Sequence, residues 1–177
     1  DVVVRSYEGI SAMLDHIGDD GGWQEGRGYW AYGLGESVRF IDALKRATGG
    51  RIDLYLVISD VGSQSGPLIS LDMFRQFVAP YIKEMADCIH GLGAKVRYHS
   101  CGRIRPFIAD LIQAGVDVLD PIQPVGSDML PAALKAAYDR QLSFHGGMDM
   151  QRVLPHGTPA EVAAEARRYC ELLGAGG

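Results

Sequence analysis

At 177 residues the chain is long enough for one domain with a sizeable core, burying roughly two-thirds of the surface of its unfolded form. Its 22 acidic and 17 basic side chains are interspersed and give a net charge of −5, which excludes the basic stripe of a nucleic-acid binder and a surface made for anionic membranes. No apolar run approaches the ~20 residues of a membrane span and no charged-then-apolar leader opens the chain, so a cytoplasmic location is expected.

Three cysteines, Cys88, Cys101 and Cys170, lack the spacing of a disulfide framework. The chain is read as one domain, 1–177, with an irregular and helical segment over 1–50 and regular units over 51–177. In the first segment, amphipathic stretches from Ser6 to Ile17 and from Glu36 to Ala47 predict helices. Between them runs a glycine-rich loop with Trp23, Tyr29, Trp30 and Tyr32, which either covers a ligand or packs as a surface cap. From residue 53 onward short β-branched runs alternate with stretches of helical period, and strands are expected over 53–59, 95–99, 116–120 and 142–146. The helix over 71–92 carries one apolar stripe, from Phe74 through Phe77, Val78, Tyr81, Ile82, Met85, Cys88 and Ile89 to Leu92, which places Cys88 in the core. Ser70 can cap its start, and Gly91 and Gly93 can close its end. Further helices are expected over 104–114, stopped by Gly115, and over 129–138. The last begins at the capping box Thr158-Pro159-Ala160-Glu161 and runs to about Leu173, with Cys170 packed against the layer beneath.

Strand and helix repeated four times predict a parallel sheet with right-handed crossovers, either an open doubly wound sheet or a section of a (β/α)8 TIM barrel. No Gly-x-Gly-x-x-Gly follows the first strand, so the dinucleotide-binding version lacks its main support. A typical barrel needs about 250 residues, so the expected fold class is α/β, an incomplete (β/α)8 barrel, the C-terminal part with about four βα units. Both chain ends read as cut rather than finished. A partial barrel would leave sheet edges open, so the isolated piece is expected to form homo-oligomers or aggregate.

In such a barrel, functional residues collect at the C-terminal ends of the strands, and this chain loads those ends with polar groups. His99-Ser100-Cys101-Gly102 puts an imidazole and a thiol two residues apart, where extended backbone turns both to one side. The pair is either half of a zinc site or a core histidine beside a buried free cysteine. Asp60, after Ser59, either orients a metal-bound group or a substrate proton, or fixes its loop through backbone N–H groups. His145 is a candidate substrate contact, or a barrel-interior histidine with a satisfied hydrogen bond, while Gln64 and Gln123 can each offer donor and acceptor to a polar ligand. Asp120-Pro121 reads as a strand end. His16, His90, His156, Arg5, Arg27 and Arg39 read as surface or packing residues.

The run from Ser59 through Gly66-Pro67-Leu68-Ile69-Ser70, then Pro80-Tyr81, Gly93-Ala94-Lys95-Val96, His99-Ser100-Cys101-Gly102, Gly115-Val116-Asp117-Val118-Leu119 and His145-Gly146-Gly147-Met148-Asp149 resembles the uroporphyrinogen decarboxylase (URO-D) superfamily over residues 50–177. The resemblance implies a (β/α)8 barrel and one of two chemistries. In the methyltransferase branch a His-x-Cys-Gly motif supplies two zinc ligands, here His99 and Cys101, and a later cysteine supplies the third. That third ligand is expected beyond Gly177, and Cys170 is in the wrong place to substitute. Zinc there holds a substrate thiol as thiolate, which attacks the methyl group of a methylcorrinoid carried on a partner protein. The second chemistry is cofactor-free decarboxylation of uroporphyrinogen, the work of a carbon–carbon lyase in porphyrin biosynthesis. For that branch Ser59 matches a serine that contacts a propionate, and Gly146 with Asp149 match a Gly-x-x-Asp feature, whereas its essential aspartate and tyrosine have no counterpart here. That branch has no zinc pair at the position of His99 and Cys101, which favours methyl transfer. The expected site therefore comprises His99 and Cys101 as metal ligands, Asp60 as catalytic residue, and Ser59, Gln64, Gln123, His145 and Asp149 as contacts to a small thiol or tetrapyrrole. A third reading is a non-catalytic barrel that binds a corrinoid or a protein.

Overall fold

A computed structural model describes residues 39–50 and 52–174. The helix expected over Ser6 to Ile17, the aromatic loop, Arg5, Arg27 and His16 lie outside the described residues. Residues 39–48 form a helix, α1, which overlaps the second stretch of helical period and runs one residue past it. Four strands follow, β1 (Leu54–Ile58), β2 (Lys95–His99), β3 (Val118–Ile122) and β4 (Ser143–Gly146). They form one sheet in the order β1-β2-β3-β4, every neighbouring pair parallel. Parallel neighbours need a crossover, and helices supply each one: α2 (Ala79–Gly91), α3 (Ile108–Gln113) and α4 (Pro131–Tyr138), with α5 (Pro159–Gly174) after β4. Among the described residues no helix is long and apolar enough to cross a membrane.

The helical stretch before β2 is continuous, as its apolar period predicts, but not uniform. A single α-turn (Leu71–Met73), whose start is capped by the Ser70 hydroxyl, passes into a wider π segment (Phe74–Val78) before α2. Pro80 at the second position of α2 has no N–H to return to the carbonyl four residues back, and the ladder widens just ahead of it. β3 starts two residues later than the β-branched run suggests. The reason is the end of the helix before it: Gly115, at φ +97°, donates to Ile112 while Val116 donates to Leu111, a Schellman closure that consumes the Val116 N–H. The capping box of α5 forms as its residues predict, with Thr158 N–H on the Glu161 carboxylate at 2.7 Å and Glu161 N–H on the Thr158 hydroxyl at 3.3 Å.

The helices cover one face of the sheet. Val96, Tyr98 and Leu119 point into that layer and are fully buried with Phe74, Ile82, Ile89, Phe107, Ile108 and Leu111. The Phe74 and Phe107 rings stack at 4.5 Å. Cys88 is half-buried against this core, as its place on the stripe predicts. Cys170 is exposed, contrary to the packed position expected for it, because its neighbour Tyr169 takes the inward-facing position of α5. The alternation of strand side chains sends Leu54, Leu56, Arg97, His99 and Asp120 to the other face, the side on which the candidate site is built.

At the opposite end of the strands, Asp117 ties three elements together. Its carboxylate accepts from Lys95 Nζ at 2.8 Å, from His90 Nε2 at 2.7 Å and from the Val96 N–H at 2.8 Å. Burial works to raise its pKa, but the bonds from Lys95, Val96 and His90 prevail and hold the carboxyl below the usual carboxylate range. A depressed native pKa contributes stability that is complete above the unfolded-state value and is lost as pH falls through the native one. Asp117→Asn is therefore expected to flatten the acid limb of stability against pH, measured by denaturant titration from neutral pH into the acid range.

Candidate metal centre

His99 ends β2, and Cys101 follows it after one residue, so both side chains leave the strand on the same side. His99 Nε2 lies 3.6 Å from Cys101 Sγ. Asp60, just past β1, brings its Oδ1 to 3.9 Å from the same nitrogen. One donor atom from each of Asp60, His99 and Cys101 falls within 4.8 Å of the others, and all three residues are half-buried. Imidazole nitrogen, thiol sulfur and carboxylate oxygen are the donor set of zinc, so these residues fit that ion.

The loops that carry the three groups are tied to each other. Asp60 Oδ1 accepts the Cys101 N–H at 2.7 Å, and the buried Ser100 hydroxyl accepts the Val61 N–H at 3.1 Å. Gln123, nearly fully buried after β3, accepts the Gly102 N–H at 2.8 Å and Gln64 Nε2 at 3.0 Å on the same oxygen. With its oxygen so committed, its amide group is left to donate to the Cys101 sulfur. Burial, reinforced by the charges of Asp60 and Asp120 and opposed by the Gln123 hydrogen bond, pushes the Cys101 thiol pKa up. A neutral thiol is the stable form until a cation arrives, and a bound cation reverses that preference.

His99 is oriented from behind. Its Nδ1 donates to Asp120 Oδ2 at 3.1 Å, which turns Nε2 towards Cys101 and Asp60. The other oxygen of Asp120 accepts from His145 Nδ1 at 2.5 Å. Along the chain Asp120-Pro121 marks no more than a strand end. The signal lay in the register, which sets Asp120 directly beside His99 on neighbouring strands.

The remaining candidates divide. Asp60, Gln64, Gln123 and His145 belong to this hydrogen-bonded network. Ser59 sits beneath it, 6% exposed, its N–H bonded to the His99 carbonyl, and its hydroxyl oxygen has no partner among the described residues. Asp149 stands in a different arrangement: its Oδ1 accepts the N–H groups of Gln151 and Arg152 and shapes the loop after β4.

Residues 54–177 match the family model of uroporphyrinogen decarboxylase (URO-D). No curated protein sequence matches the chain. A solved structure, that of a methyltransferase from Methanosarcina mazei, is similar at 21% sequence identity and a TM-score of 0.67, over 83% of this chain and 40% of that one. The chain thus spans about 40% of the length of the protein it matches. At this identity the likeness speaks for the fold alone, an arc of four βα units from a (β/α)8 barrel. Because the family match begins at β1 and takes in every strand end described above, the chain belongs to the uroporphyrinogen decarboxylase (URO-D) family.

Proposed function

We propose that this chain is the metal-holding part of an enzyme that transfers a methyl group from a methylcorrinoid on a partner protein to a small thiol. The observation that carries the proposal is the convergence of Asp60, His99 and Cys101 donor atoms within 4.8 Å at the strand ends. His99 and Cys101 would hold zinc, with Asp60 offering an oxygen beside them. Bound there, zinc supplies a positive charge that keeps a substrate thiol ionised at neutral pH.

The residues around the ligands have separable tasks. Asp120 holds His99 in the orientation that frees Nε2. Gln123 steadies the Cys101 sulfur, and Gln64 locks Gln123 in turn. Asp60 braces the Cys101 backbone while keeping a second oxygen for a metal or for a substrate proton. Ser59 offers a buried hydroxyl that no other described residue claims, a fit for a polar substrate group. The same hydroxyl supports the second reading, decarboxylation of uroporphyrinogen, in which Ser59 would meet a propionate. Asp149 would act through the loop it shapes.

Metal content separates the readings. Full-length protein purified without chelator is expected to carry close to stoichiometric zinc by elemental mass spectrometry. Folded protein that carries none, even after incubation with zinc, would sink the methyl-transfer reading and turn the search to decarboxylation.

A further inference from the structure

The Asp120 carboxylate is shared between two imidazoles. Oδ2 takes the hydrogen of His99 Nδ1 and Oδ1 that of His145 Nδ1, at 3.1 and 2.5 Å. Arg97 Nε stands 3.6 Å from Oδ2 and, among the described residues, makes no hydrogen bond of its own. The Asp120 side chain is only 8% exposed. Two imidazoles and a guanidinium thus face this one carboxylate, a setting that suits its ionised form. An ionised carboxylate has no hydrogen to give, so both Nδ1 atoms must be donors, and in each neutral ring Nε2 carries the lone pair. For His99 that lone pair faces Cys101 and Asp60. For His145, whose side chain is 56% exposed, it belongs to a ring open to solvent and to small molecules.

A solvent-accessible imidazole with Nδ1 anchored on a buried carboxylate is the arrangement of a general base. Its position, one carboxylate away from a candidate metal ligand, says which proton it would take. We propose, resting on the thiol reading above, that His145 is the proton acceptor for the substrate thiol. The S–H bond breaks, the proton passes to His145 Nε2, and the electron pair stays on sulfur. Asp120 then faces the imidazolium it has oriented, and the same carboxylate keeps His99 aligned. One buried aspartate thus serves both the metal ligand and the base, so that neither can shift without disturbing the other.

Two sets of measurements on the full-length protein test this. Nitrogen-15 NMR of the imidazoles is expected to find His145 as the Nδ1–H tautomer, a preference that disappears in Asp120→Asn. With methylcobalamin as methyl donor and 2-mercaptoethanol as acceptor, His145→Gln is expected to lower kcat about 100-fold at unchanged zinc content. Added imidazole is expected to restore part of the activity of His145→Ala, which loss of a purely structural side chain would not allow. An Nε2–H tautomer, a His145→Gln enzyme with wild-type kcat and full zinc, or no imidazole rescue would each overturn the base assignment. A wild-type protein that takes up no zinc but keeps the Nδ1–H tautomer would instead overturn the zinc reading, with the dyad itself supported.

Discussion

On the methyl-transfer reading proposed above, Cys101→Ser and His99→Ala are each expected to lower the zinc affinity of the full-length protein by at least about 100-fold and to abolish methyl transfer to a thiol. Loss of an outer-shell partner alone costs metal sites about 10- to 100-fold, so loss of a ligand sets that as the floor. Serine is close to cysteine in shape, but its hydroxyl keeps its proton at neutral pH and replaces a soft sulfur donor by a neutral oxygen. His99→Ala removes the nitrogen and also leaves the Asp120 carboxylate one donor short in a site where it is mostly buried. Asp60→Asn is expected to cost less, about tenfold, because the amide keeps an oxygen in place and can still accept the Cys101 N–H. Elemental analysis and competition with a chelating dye would read the affinities, and thermal melts would report folding separately. Equal zinc content in Cys101→Ser and wild type would return Cys101 to the role of a half-buried free thiol.

Gly102→Ala is expected to destabilise the protein by about 2–4 kcal/mol and to disorganise the candidate metal site with it. Gly102 has φ +82°, which costs a residue with a side chain about 1–2 kcal/mol. A Cβ there would also stand 2.4 Å from the Ser63 carbonyl oxygen, 2.6 Å from its carbon and 2.8 Å from its nitrogen. All three are backbone atoms that cannot rotate away, so the loops after β1 and β2 must separate. That movement pulls on the Arg103 N–H to Ser63 bond and on the Asp60 to Cys101 bond, both of which join the same loops. Gly93→Ala is the control, since Gly93 has φ +78° but nothing within 4 Å of a built Cβ. It is expected to pay the conformational cost alone, about 1 kcal/mol, with full zinc. Denaturant midpoints give the stabilities, and similar losses at the two glycines would refute the crowding argument.

The elements were legible in the sequence because what defines them is local. The stripe from Phe74 to Leu92 needs only the three- and four-residue spacing of a helix, and the Thr158 to Glu161 box closes within a single turn. His99 and Cys101 could be paired on paper because two residues of extended chain repeat a direction. What the sequence could not decide was which distant strand end meets which. Asp120 reaches His99 across 21 positions, Asp60 reaches Cys101 across 41, and Gln64 reaches Gln123 across 59. Those meetings depend on the parallel register and on where each helix releases the chain into the next strand. The Schellman closure at Gly115 shows how sensitive that is, since it delays β3 until its last residues run through Asp120 and Ile122. The residue types alone determined which donor groups, an imidazole, a thiol and carboxylates, stand at the strand ends. The pairing of β3 with β2 on one side and with β4 on the other determined that one buried carboxylate sits between two histidines, because a hydrogen bond between neighbouring strands has no trace in the spacing along either one.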